Sequence, residues 1–366
     1  TSTASGTPPR CPSTTECARP GHTYHGEVHY LDHAATTPLR PEALGAMQQQ
    51  WQEVGNPSSL HTAGRRARRV VEESREQIAA IVGAKPADII FTSGGTEADN
   101  LALKGLARNT DRRRVLVSAV EHHAVLDPAD ALADEAKTVE LIPVDAQGRV
   151  DVAALELMLD DDVAVVAVMW ANNEVGTVQP VAQIAQMCAA RGVPFHTDAV
   201  QALGQLDLDL EGIPSAALSA HKVGGPVGVG ALVLDRDLSV RPLVHGGGQE
   251  RDVRSGTLDA AGIAGFAAAL AADKPDLAPL RDRLIDGVRR VVPDAVLNGD
   301  PVDRLPNNAH FSFPGCPGDA LLMLLDAAGV AVSTGSACTA GIPQPSHVLM
   351  AMGADGVQMG TRFLAT

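Results

Sequence analysis

Apolar positions recur along this chain in two alternating rhythms. Short unbroken apolar runs at Ile89–Thr92, Val115–Val120, Val139–Pro143, Val163–Met169, Pro194–Thr197, Ala216–Ser219 and Gly230–Leu234 predict strands. They lack the in-out alternation of a half-exposed strand, so the sheet they form is covered on both faces. Between them, apolar residues three and four apart predict helices at Pro41–Trp51, Gly64–Val82, Glu97–Arg108, Leu126–Ala136, Val152–Leu159 and Val181–Arg191. Strand and helix in turn over about two hundred residues specify βαβ units and a mostly parallel sheet, an α/β fold. The rhythm changes near residue 265. Helices at Gly262–Ala272, Leu280–Val291 and Gly318–Ala328 then alternate with shorter strands at Ala309–Phe313 and Val330–Ser333. We therefore expect a tail at 1–27, a large domain at 28–270 and a small α+β domain at 271–366.

Length agrees with this division, since 366 residues suffice for two domains without disulfides or metals. Residues 1–27 are rich in Ser, Thr, Pro and Gly and have no apolar h-region, so a disordered tail is expected there rather than a secretory signal. No apolar run is long enough to cross a membrane. The net charge of −15 and the 3% aromatic content exclude direct nucleic-acid binding through phosphate attraction or base stacking. Five scattered cysteines without a CxxC pair argue against a disulfide framework or an intrinsic zinc site and point to a reducing cytoplasm. Arg65, Arg66, Arg68 and Arg69 precede Glu72, Glu73 and Glu76. Arg68–Glu72 and Arg69–Glu73 are expected as i,i+4 pairs on a solvated helix face, with a partner-binding patch as the alternative.

Four segments carry candidate chemistry. In Phe91-Thr-Ser-Gly-Gly-Thr-Glu-Ala-Asp-Asn100 a strand runs into two glycines and Thr96 opens a helix, whose free N–H groups suit a phosphate. In Val193-Pro-Phe-His-Thr-Asp-Ala-Val-Gln201, Asp198 falls at the carboxyl edge of a strand, where a buried carboxylate needs a cation such as a protonated pyridine nitrogen. In Leu218-Ser-Ala-His-Lys-Val-Gly-Gly225, Lys222 is one of only five lysines and follows a strand directly, placed to act as an amine nucleophile. Taken singly, each has a plain structural reading: a capped turn, a helix cap, a surface lysine. Taken together and in order, they are the parts needed to hold pyridoxal 5′-phosphate. The fourth segment, Val332-Ser-Thr-Gly-Ser-Ala-Cys-Thr-Ala-Gly341, sets Cys338 among small polar residues, a setting for a reactive rather than a structural thiol. Cys188 on an apolar helix period and Cys316 in a turn read as structural.

These segments resemble the cysteine desulfurases of the NifS/IscS group in the class V aminotransferase family. So do Tyr30-Leu-Asp-His-Ala-Ala-Thr-Thr-Pro38, Gly55-Asn-Pro-Ser-Ser-Leu-His61, Glu121-His-His-Ala-Val-Leu-Asp127, Asn172-Asn-Glu-Val-Gly176, His245-Gly-Gly-Gly-Gln-Glu-Arg251 and Arg254-Ser-Gly-Thr257. The resemblance spans about residues 29–364. It implies a fold type I homodimer whose large domain has a seven-stranded, mostly parallel sheet, with residues 28–43 packing on the small domain. It implies that Lys222 holds the cofactor, that His122 stacks on its ring and shuttles protons, and that Asp198 pairs with the ring nitrogen. Gln201 would bond the phenolic oxygen. Gly95, Thr96, Ser219 and His221 would hold the phosphate with Thr257 of the neighbouring subunit. Asn173, beside the cofactor, and Arg362 would hold the substrate carboxylate. Cys338 would take sulfur from L-cysteine as a persulfide, releasing L-alanine, and pass it to an iron–sulfur scaffold or a tRNA-thiolation enzyme. No intrinsic metal is implied, although Cys338 could contact an iron–sulfur cluster on a partner. A selenocysteine-lyase-like enzyme or aminotransferase of the same fold, and a catalytically poor scaffold, are the alternatives. The sequence departs from the group in its 27-residue start, in a C-terminus that stops four residues after Arg362, in Ala220 where glycine is common and in Val227 where a basic residue is common. The short end is expected to leave apolar surface of the small domain uncovered.

Overall fold

Seven strands form the central sheet, and each of the seven apolar runs supplies one. The computed structural model describes residues 28–335, 346–354 and, as backbone, 361–363. After β1 (His29–Tyr30), α1 (Pro41–Trp51) and α2 (Thr62–Ile81), strands alternate with helices. These are β2 (Ile89–Thr92), α3 (Gly95–Ala107), β3 (Arg114–Ser118), α4 (His123–Ala133), β4 (Thr138–Ile142), α5 (Val152–Met158), β5 (Val163–Ala167) and α6 (Val181–Ala190). Then come β6 (Phe195–Asp198), β7 (Ser215–Ser219), β8 (Gly230–Leu234) and α7 (Ala260–Ala271). The sheet order is β2-β8-β7-β6-β5-β3-β4. Only β8 runs against its neighbours. The carboxyl ends of β2, β3, β5, β6 and β7 therefore gather on one edge of the sheet, where an open α/β sheet binds ligands.

Both faces are covered, as the unbroken apolar strands require. Val71 and Ile78 of α2, Ile184 and Cys188 of α6 and Phe266 of α7 pack in one core layer with Phe91, Val166 and Phe195. Leu103 and Leu106 of α3 and Val125 and Leu132 of α4 pack on the other face with Val115, Val117 and Val165. Cys188 is fully buried, which pushes its thiol up to about 12 and leaves it inert, the structural cysteine expected from its helix period.

The remaining elements are α8 (Ala278–Val291), β9 (Val296–Asn298), β10 (Ala309–Ser312), α9 (Gly318–Ala327), β11 (Val330–Ala331), β12 (Ser333–Thr334), α10 (His347–Ala351) and β13 (Thr361–Phe363). The order β12-β13-β10-β9 makes a second, antiparallel sheet. β11 pairs in parallel with β1, which ties residue 29 to residue 330. The single strand expected at Val330–Ser333 is thus two, in different sheets. α8 and α9 flank an apolar groove of about 910 Å³, lined by Leu284, Val288, Leu321 and Leu325 and also by Cys316. Met323 and Leu324 of α9 are exposed.

Two local expectations are corrected. α4 starts at His123, not Leu126, because the His122 ring caps it: Nδ1 accepts from the Ala124 N–H at 3.0 Å. The pairs Arg68–Glu72 and Arg69–Glu73 do not form among the described residues. Glu72 instead meets Arg75 at 3.1 Å and Arg66 meets Glu53 at 3.2 Å. Arg75 wins Glu72 because a bidentate bond to buried Glu250 already holds its guanidinium in place. Arg68 and Arg69 stay on a solvated face.

Candidate active site

Five strand ends converge on a cavity of about 230 Å³. β2 delivers Gly95 and Thr96, the segment after β3 delivers His122, the loop after β5 delivers Asn173, β6 delivers Asp198 and Gln201, and β7 delivers Ser219, His221 and Lys222. All of these sequence-predicted residues line the one cavity. Thr257 does not. It is exposed, in keeping with its expected place in a neighbouring subunit's site. Arg362 lies in β13, opposite His310 of β10 and Ser333 of β12. Cys338 and the tail 1–27 lie outside the described residues. The described flanks of the cysteine segment lie beside Glu174 and Glu121, the residues that adjoin Asn173 and His122 in sequence. Gly335 approaches the Glu174 carboxylate, and Ser346 Oγ donates to Glu174 Oε2 at 2.5 Å. His347 Nε2 meets the Glu121 carbonyl at 2.8 Å, next to His122.

The floor of the cavity is α3, whose first turn has N–H groups with no intrahelical acceptor. Gly95 is needed here, because a Cβ on it would fall 2.7 Å from Val200 Cγ2. The turn is braced by Glu97, whose Oε2 accepts from the Ser93 N–H at 2.7 Å and whose Oε1 accepts from Arg254 Nε at 2.9 Å. Ser219 is 2% exposed and its hydroxyl has no hydrogen-bond partner among the described residues. A buried hydroxyl and open helix N–H groups form a ready cradle for a phosphate.

Lys222 Nζ donates to the carbonyls of Ala34 and, at 2.9 Å, Ala35. Gln201 Nε2 donates to the same Ala34 carbonyl at 3.1 Å. The Asp32–Thr37 loop is latched to the lysine turn. Thr37 Oγ1 donates to the His221 carbonyl at 2.8 Å and accepts from the Gly224 N–H at 2.7 Å, while His221 Nδ1 meets Thr36 Oγ1 at 3.1 Å. Burial, then the neighbouring Lys222 charge, pulls His221 down to about 4, so its imidazole is neutral. Ala220 is fully buried in that turn.

Asp198 is 6% exposed, and burial raises its pKa against the opposing pull of His122, the Val200 N–H and Lys222. Behind it stand two carboxyl groups with no assigned role in the sequence reading. Asp99 Oδ1 meets His196 Nε2 at 3.0 Å, and His196 Nδ1 meets Ser215 Oγ at 2.8 Å. Burial drives His196 down to about 3 and, with the charges of Asp198 and Glu121, drives Asp99 well up. The pair is therefore neutral, with Asp99 donating to Nε2 and Nδ1–H donating to Ser215. Glu121 is fully buried and accepts from Ser118 Oγ at 2.5 Å and from the Met169 N–H at 2.6 Å. Burial still lifts it to about 8. Two signals pointed to these groups, an acid inside each of two motifs and a residue adjoining His122, but only burial by distant strands gives them their protonation. The arrangement offers an amine, a neutral imidazole, a phosphate cradle and a buried carboxylate seeking a cation. That set fits an aldehyde cofactor with a ring nitrogen.

Comparison with known proteins agrees. The aminotransferase class-V profile matches residues 29–363. An IscS-like cysteine desulfurase of Mycobacterium tuberculosis is 54% identical over 345 residues, taking in 89% of this chain and 88% of the relative. A NifS-like protein of known structure superposes with a TM-score of 0.85 at 36% identity, covering 92% of this chain and 93% of the other. The structure of SspA in complex with cysteine superposes at 0.84 with 31% identity, covering 92% and 98%. With the family profile running through nearly every described element and a 54% identical relative covering 89% of it, the chain belongs to the aminotransferase class-V family.

Proposed function

We propose that this protein is an L-cysteine desulfurase that uses pyridoxal 5′-phosphate, turning L-cysteine into L-alanine and taking the sulfur on Cys338. The observation that carries this is the gathering of Lys222, His122 and Asp198 around one cradle, in a chain 54% identical to a cysteine desulfurase. The orphaned Ser219 hydroxyl, the absence of room for a Cβ at Gly95 and the buried Asp198 carboxylate all fit the cofactor. Gly95, Thr96, Ser219 and His221 would hold its phosphate, with Thr257 of a second subunit completing the cradle in a homodimer. Asp198 would keep its ring nitrogen protonated, Gln201 would bond its phenolic oxygen, and His122 and Asn173 would bound the ring. When bound, the cofactor supplies an electron sink that acidifies the substrate Cα–H and makes its sulfur electrophilic.

This chain's residues do the rest. Lys222 Nζ would hold the cofactor's aldehyde carbon, and its amine would serve as the base for the substrate Cα proton. Asn173 and Arg362 orient the substrate carboxylate. The Cys338 thiolate attacks the substrate sulfur. A new S–S bond would form, the C–S bond would break, and the electron pair would stay on Cβ, which is protonated with His122 as the shuttle; the Lys222 ammonium would return its proton to Cα, and alanine would leave. The product on Cys338 is a persulfide, a reversible state from which an acceptor thiol can take sulfur. The fastening of the described C-terminal flank of the Cys338 segment, Ser346 on Glu174 and His347 on the Glu121 carbonyl, supports this delivery. An iron–sulfur scaffold or a thiolation enzyme is the acceptor class. A reducing cytoplasm suits a persulfide carrier. Among the described residues, no helix is long and apolar enough to cross a membrane. The large and small units divide near residue 270, with the 28–43 segment shared between them.

The test compares alanine and sulfide production from L-cysteine, with added cofactor and a reductant, for native protein and Cys338→Ala. Native protein is expected to be yellow and active, and the variant yellow with activity lowered at least a hundredfold. Equal activity in both would reject Cys338 as acceptor and replace this reading with a lyase or aminotransferase.

A further inference from the structure

Lys222 also lines a second cavity, of about 260 Å³, whose walls carry two more cations and which the chemistry above does not use. Arg40 reaches it from the segment before α1, held by a 2.8 Å bond from Nη1 to the Asp273 carbonyl. Lys274 reaches it from the next residue along. Each cation lies across a glycine in the left-handed region. A Cβ on Gly204 (φ +73°) would fall 2.7 Å from Lys274 Nζ, and one on Gly224 (φ +83°) would fall 2.4 Å from Arg40 Cγ. The glycines provide the seats in which the two side chains rest.

The charges in these seats are not balanced. Among the described residues the Lys274 ammonium has no hydrogen-bond or ion-pair partner, and burial, then the Arg40 charge, lowers its pKa. Asp276 lines the cavity too; its Oδ1 accepts from the Ala278 N–H at 3.0 Å and its charge remains, so two cations face one carboxylate. The fourth wall is Asn307, only 6% exposed, whose buried Oδ1 has no hydrogen-bond partner among the described residues. Two like charges held together, and a buried acceptor left unpaired, each cost free energy unless a ligand answers both.

We propose that this cavity binds a small oxyanion that also carries a hydrogen-bond donor, its anionic group between Lys274 and Arg40 and its donor on Asn307 Oδ1. A hydroxy- or amino-carboxylate and hydrogenphosphate share that chemistry. Because Lys222 borders the cavity, occupancy would be felt beside the catalytic amine.

The test is a thermal-shift titration of the purified holoenzyme at constant ionic strength and pH. The probes are hydrogenphosphate, glycolate (carboxylate and donor) and acetate (carboxylate alone). Glycolate cannot react with the cofactor, and a filled cofactor site leaves its phosphate cradle closed to added phosphate. A saturable rise in Tm is expected, with glycolate binding at least several-fold tighter than acetate. Lys274→Met should abolish it, Lys274→Arg should keep it, and Asn307→Ala should erase the preference for glycolate over acetate. Whichever of phosphate and glycolate saturates lower names the source. No saturable shift with any probe, or a shift undiminished in Lys274→Met, would overturn the proposal. If Lys274→Met does not fold, Arg40→Gln decides by the same criterion. Cofactor absorbance, recorded throughout, reports separately on the desulfurase reading. If the protein carries no cofactor, the glycolate titration still probes this cavity.

Discussion

Asp99, Glu121 and Asp198 place three carboxyl groups under one cavity, each nine-tenths buried or more. Such a cluster is tolerable only if some members keep their protons. Glu121 is raised to about 8 by burial, against an unfolded value near the usual carboxylate range. Between those values the folded chain holds a proton that the unfolded chain has released. Stability from this group is therefore intact in acid and lost as pH rises towards 8. Glu121→Gln keeps an oxygen to accept from Ser118 and Met169 and removes the titration. In urea denaturation of cofactor-free protein, the variant should lie close to native at pH 5 and exceed it at pH 8.5 by on the order of 4 kcal/mol. Identical pH slopes for the two proteins would refute the assignment. Single-residue chemistry here comes from neighbours far apart in sequence.

Glu250 shows how one buried charge joins elements. Its carboxylate receives Arg75 of α2 through both oxygens, at 2.8 and 2.9 Å, and the Phe91 N–H of β2 at 2.8 Å. Arg75 also donates to the Ile89 carbonyl at 2.7 Å and lies 4.6 Å from the Phe91 ring centroid. The pair pins α2 and the edge strand β2 to the Gly-rich 245–257 segment, which carries Thr257 and, through Arg254, braces Glu97 under the cradle. Removing one partner of a buried pair strands the other. Glu250→Ala should thus cost about 3–5 kcal/mol of stability, read from the urea midpoint at constant m-value. A loss below about 1 kcal/mol would show that water replaces the carboxylate.

For the whole molecule, one group of exposed apolar side chains lies close to the segment that carries Thr257. Trp51 is 63% exposed, Val54 85% and Leu60 87%, at the end of α1 and along the loop before α2. Trp51 and Val54 border a cavity of about 460 Å³ that reaches Leu258, the neighbour of Thr257. A homodimer through this face would cover the apolar patch and bring Thr257 to the other subunit's cradle. The double substitution Val54→Glu, Leu60→Glu should convert dimer to monomer in sedimentation velocity and lower cofactor affinity at least tenfold. A variant that stays dimeric with unchanged affinity would place the interface elsewhere.

The central strands were legible because a strand covered on both faces is apolar along most of its length; edge strand β4, with Glu140 and an exposed Leu141, is the least covered of them. The site was legible for a related reason. Gly95, Asp198 and Lys222 each stand where an apolar run turns abruptly to glycine or polar residues, which marks a strand's carboxyl end. The short strands were read less well. Val330–Ser333 splits because β11 is claimed by β1, three hundred residues earlier, and β12 by β13. Nothing in the local pattern records which distant backbone supplies a hydrogen-bond partner. The same holds for the carbonyls of Ala34 and Ala35 on Lys222, and for His196 kept neutral beside Asp99. Periodicity and motif order reflect how each segment divides between water and core. Protonation, pairing and the seating of Lys274 over Gly204 depend on burial that exists only once distant segments have met.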